Sequence, residues 1–147
     1  MGYAVFAQRK VVLTSRLNSY QLQLMQMDDR QFALATDGTD LDMQLSSINQ
    51  AQSTELSDLY KSLTNADNDD AKDDIRAQIE EVKNKYATWT EEINQENYEL
   101  SQKENMIEMQ KKRLETQITK ISQELEAVEK AEQDGIQRAN PKYSGLG

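Results

Sequence analysis

Five aspartates, Asp67, Asp69, Asp70, Asp73 and Asp74, fall in residues 67–74 with almost no apolar side chain between them. Closely spaced carboxylates are hard oxygen donors of the kind that hold calcium. A helix–loop–helix calcium loop also needs a glycine at its sixth position to make the sharp turn. That position is Lys72 counted from Asp67 and Asp74 counted from Asp69, so the glycine is missing in both frames. The alternative chemistry is simpler. Aspartates at the start of a helix are stabilised by unpaired backbone amides and by the helix dipole, and the stretch is read as a loop leading into an acidic helix start.

Other chemistries are bounded by what the chain lacks. It has 0 Cys and 0 His, which removes the usual nucleophile, the usual neutral-pH acid–base group, the soft metal ligands and any disulfide. Serine–lysine or paired-carboxylate catalysis would still need a walled pocket that excludes water, and an extended helical chain rarely builds one. No catalytic, cofactor-binding or metal-ligating residue is therefore assigned, no cofactor is expected, and the chain is not expected to be an enzyme.

The elements that would position any site are helices. Of 147 residues 37% are hydrophobic and 29% charged, too polar a mixture for a large globular core, and 1 Pro and 5 Gly leave few breaks. The expected fold is all-α, an extended helical hairpin or bundle with a long C-terminal coiled-coil helix. Its expected parts are a basic N-terminal helix (1–36), a second helix (37–64), an acidic loop (65–74), the long helix (75–134) and a flexible tail (135–147).

In the first part Leu13, Leu17, Tyr20, Leu24, Met27 and Leu34 recur at spacings of three, four or seven, which puts them on one helix face. Asp37, Gly38 and Thr39 then read as a turn, with Gly38 in a left-handed cap and Thr39 capping the next helix. Leu41, Leu45, Ile48, Leu59 and Leu63 continue a weaker stripe, interrupted at Gln52 and Ser53.

The strongest signal follows. Ile79, Tyr86, Ile93, Leu100, Ile107, Leu114, Ile121 and Val128 are apolar and spaced by seven without a gap, one seam of a coiled coil. No Gly or Pro lies in 71–134, so a helix from about Asp73 to Glu132 would run roughly 90 Å at the standard rise. Ile75, Val82 and Trp89 form a companion seam that gives way to Glu96, Lys103 and Gln110. Companions return on the other side as Ile118 and Leu125. A seam that changes sides drifts around the helix, which predicts two packing neighbourhoods. One is centred on Trp89 and meets the second helix; the other spans 114–128 and meets the first. Met106 and Met109 flank the polar middle as adaptable packing residues.

Charge is segregated as well. The first 27 residues hold Arg9, Lys10 and Arg16 and no acid; +3 there against a total of −9 leaves −12 for the rest. Two readings stay open: an antiparallel contact with the acidic stretch 124–134, or an export segment rich in Ser, Thr, Asn and Gln. A balance this acidic argues against nucleic acid as a partner, and no run of about 18 apolar residues offers a membrane span. The chain also lacks the apolar stretch of a cleaved secretory signal at its N-terminus, so it is expected to be made in the cytoplasm.

Taken together, a polar basic N-terminal helix, a weaker middle, a long C-terminal coiled-coil helix and the absence of Cys resemble flagellin-like and needle-filament subunits exported by flagellar and related type III routes. The resemblance implies a structural subunit whose terminal helices pair to build the assembly core, exported to an extracellular filament without a cleaved signal. The expected partners are copies of the same chain and other helical proteins. The alternative is a soluble coiled-coil adaptor or chaperone-like protein of small oligomeric state. Either way the expected interface comprises Leu13, Leu17, Tyr20, Leu24, Met27, Ile79, Tyr86, Trp89, Ile93, Leu100, Ile107, Leu114, Ile118, Ile121, Leu125 and Val128.

Overall fold

The computed structural model describes residues 2–139. They form two long helices packed as a hairpin, with no strand among the described residues: α1 (Gly2–Asn65) and α2 (Asp69–Ala139). Residues 66–68 connect them, and so short a link makes the two helices antiparallel neighbours. Asn68 starts α2. Its side-chain Oδ1 accepts the backbone N–H of Ala71 at 2.7 Å, and Asp69 and Asp70 fill the first turn, where the exposed amides favour negative charge. The acidic stretch is thus mostly helix, and the loop is 66–68 rather than the expected 65–74.

The expected three helices are two. No turn forms at Asp37, Gly38 and Thr39: α1 passes straight through, and no described glycine has positive φ. Two local facts explain it. A Cβ placed on Gly38 would lie 3.3 Å from Leu100 Cδ2, so the missing side chain makes room for Leu100 against a helical backbone. Thr39 does not cap a new helix; its hydroxyl donates back to the Ala35 carbonyl at 3.1 Å, within the same helix. At the other end Gly135 also stays helical, with Phe6 beside it, so α2 outruns the expected boundary at 134. The expected tail beyond 139, including Pro141, lies outside the described residues.

Two compact units divide the chain. Unit 1 joins Met1–Gln31 to Met106–Gly147, and unit 2 is Phe32–Asn105. In unit 1, Leu13, Ile121 and Val128 make a buried cluster with Phe6, Leu17, Tyr20 and Leu125 packed against it; Ile107 and Leu114 are buried along the same face of α2. This is the expected meeting of the first helical stretch with 114–128. In unit 2 the buried residues are Leu41, Ile79, Tyr86 and Ile93. Trp89 is not among them. It is 42% exposed, and the inward place belongs to Thr90, followed by Asn97 and Glu104. The companion seam therefore changes sides at Tyr86, well before Leu114, and its first residues on the new side are polar.

Candidate functional site

Most of the expected interface residues are consumed inside the hairpin. Leu13, Leu17, Tyr20, Ile121, Leu125 and Val128 are brought together in unit 1, where Leu24, Met27 and Ile118 are half-buried. Ile79, Tyr86, Ile93 and Leu100 face inward in unit 2. Trp89 lies at the edge of its unit. Its ring meets Tyr86 edge-on, with centroids 5.2 Å apart and planes at 89°.

Three lysines reach across to the other helix at the border of the seam. In unit 1 Lys10 Nζ lies 3.4 Å from Glu132 Oε2, which realises the expected contact between the basic N-terminal stretch and the acidic C-terminal one. Lys111 Nζ lies 2.6 Å from Asp28 Oδ1 and donates to Gln31 Oε1 at 3.0 Å. The bond to Asp28 holds the Lys111 ammonium above its ordinary pKa. In unit 2 Lys85 Nζ lies 3.2 Å from Glu55 Oε2 and sits over the Tyr86 and Trp89 rings, 4.8 and 5.3 Å from their centroids. The Glu55 carboxyl is pulled below its ordinary pKa, first by the Tyr86 hydroxyl and then by Lys85, while the same bond raises the tyrosine. Half-exposed pairs of this kind each contribute little to stability, and they are compatible with this alignment of the two helices.

The outward side of α1 carries what the heptad reading passed over. In unit 1 its exposed column is Val11, Ser15, Asn18, Leu22, Met25 and Asp29, with one charge. In unit 2 it is Phe32, Thr36, Thr39, Met43, Ser46, Gln50, Ser53, Ser57 and Tyr60, with none. Phe32 is 76% exposed and Met43 64%. The equivalent column of α2 in unit 1 holds Lys112, Glu126 and Lys130 among its residues, the ordinary charged exterior of a solvated helix. The signal was legible as the absence of charge at every third or fourth residue of α1 from Phe32 to Tyr60. Weak apolar content hid it.

For small-molecule chemistry the surface offers open grooves along the helices. Among the described residues no group of three or more carboxylates, His or Cys is arranged to hold a metal ion, and no helix is long and apolar enough to cross a membrane. Compared with protein-family models, with curated proteins and with solved structures, the chain matches none.

Proposed function

We propose that this chain is a structural subunit that assembles with copies of itself by packing helix against helix, and that it does no catalysis. The observation that carries the reading is the outward side of α1. Its inward side is already satisfied by α2, yet the opposite side leaves Phe32 and Met43 in water along a column free of charge. Single exposed apolar residues need no explanation, but a charge-free column in a chain that is 29% charged marks a surface suited to contact. The layout that resembles flagellin-like subunits supports the same reading, and export to an extracellular filament belongs to the proposal.

Light scattering and negative-stain imaging over a range of concentrations test it. Mass that grows with concentration into filaments or tubes is the expected result. A fixed assembly of two to four copies would replace it with the adaptor reading, in which the same face of α1 receives one partner helix. That second reading is favoured by the completeness of the hairpin, whose seam needs no further copy.

A further inference from the structure

We infer that the contact between copies is polar in the sense of head and tail: the N-terminal stretch of α1 in one copy seats on a groove of unit 2 in another. The inference rests on the self-assembly reading above.

The incoming face is Val5, Arg9, Val12 and Arg16. Spacings of four, three and four place them on one side of α1, and all four are exposed, Val5 by 61% and Val12 by 44%. The receiving groove in unit 2 lies between the helices, with Leu41 and Leu100 lining it and Asp37, Asp40, Glu96 and Glu99 around them against a single cation, Lys103. None of these four carboxylates, and neither arginine, takes part in an ion pair among the described residues.

The two surfaces complement each other in charge, and they match in length: Arg9 and Arg16 are seven residues apart, about 10 Å at the helical rise, which is the extent of the groove on α1 from Asp37 to Gln44, with its carboxylates at Asp37 and Asp40. Residues 1–27 hold no acid that would oppose the groove. Within its own unit the arginine face shares a groove with one acid, Glu124, fewer than the four that another copy offers. Opposite charges across a contact set partner and orientation more than raw affinity, so this pairing gives an apolar association its direction. An interface that uses two different patches either closes a ring or pair or continues as an open chain.

Paired charge reversals with complementation test the inference. Arg9→Glu/Arg16→Glu reverses the incoming face and Asp40→Arg/Glu99→Arg reverses the groove; circular dichroism checks that each chain stays helical. Each variant alone should need on the order of tenfold more protein to reach half-association in light scattering. An equimolar mixture of the two should return to the wild-type concentration, because glutamates of one meet arginines of the other while the untouched faces pair as before. Arg9→Gln/Arg16→Gln covers the case in which new glutamates repel Glu124, and it should weaken association in the same direction. If both reversals associate like wild type, or if both fail and mixing restores nothing, the head-to-tail contact is overturned while assembly stands. If the wild-type chain stays monomeric at every concentration, the assembly reading itself falls.

Discussion

Units 1 and 2 use the same seven-residue seam and pack it differently. Ile121 in unit 1 and Ile93 in unit 2 are almost equally buried, at 7% and 5% exposed. Ile121 has Ile118 and Leu125 as inward neighbours on its own helix, and it joins a continuous cluster with Leu13 and Val128. Ile93 has Thr90 and Asn97 in those places. Burial of a single side chain is thus a poor measure of a core. What differs is whether its neighbours are apolar too, since dispersion and water exclusion accumulate only over contiguous apolar surface.

The largest expected effect that could break this comparison is a charge in the cluster. Ile121→Asp should cost several kcal/mol, because the carboxylate would be desolvated without a partner, and chemical denaturation should show unit 1 lost. Truncation sharpens the contrast. Ile121→Ala should destabilise by about 3 kcal/mol and Ile93→Ala by about 2 kcal/mol, and equal or reversed values would show that the polar neighbours of Ile93 pack as well as apolar ones.

A smaller effect separates the two helical glycines. Gly135→Ala should stabilise unit 1 by about 0.5–1 kcal/mol, since the new methyl meets Phe6 at 3.8 Å, an ordinary contact, and the unfolded chain loses freedom. Gly38→Ala gains the same backbone term but brings its methyl to 3.3 Å from Leu100 Cδ2. It should therefore stabilise unit 2 less, and Gly38→Leu should destabilise it. Thermal melts of the three variants decide the order, and a Gly38→Ala gain matching Gly135→Ala would mean that Leu100 yields freely.

The smallest effect is in pH dependence. The lowered Glu55 pKa means that its contribution is present above 4.5 and is lost as pH falls through the folded value. The raised Tyr86 pKa has the opposite sign: its contribution is present below 10.0 and is lost as pH rises through the folded value. Glu55→Gln should flatten the melting temperature of unit 2 at both ends of the pH range. An unchanged acid limb would show that the bond to Tyr86 carries no stability. In unit 1 the raised Lys111 pKa has the same sign as that of Tyr86: its contribution is present below 10.5 and is lost as pH rises through the folded value, and Asp28→Asn should remove it.

Much of this was legible in the residues. The seam from Ile79 to Val128 and the single face of Leu13, Leu17 and Tyr20 follow from apolar spacing, which depends only on the helical repeat, and the change of side of the companion seam pointed to two packing neighbourhoods. Gly38 was misread because glycine is both the usual helix terminator and the residue that lets a large neighbour approach a helix, and nothing local tells the two apart. Trp89 was misread because hydrophobicity suggested an inward place that its azimuth on α2 gives to Thr90. The outward column of α1 went unread because it is marked by missing charge rather than by apolar residues.

The sequence by itself determined that the chain is helical and which side of each helix is apolar, because propensity and periodicity are properties of a single segment. Where α1 continues, which polar residues turn inward and which carboxylates gather around Leu41 and Leu100 were decided by tertiary structure alone. Each depends on a side chain some thirty to one hundred and twenty residues away, Leu100 for Gly38, Lys85 for Glu55 and Glu132 for Lys10, and such partners are set by how two helices align.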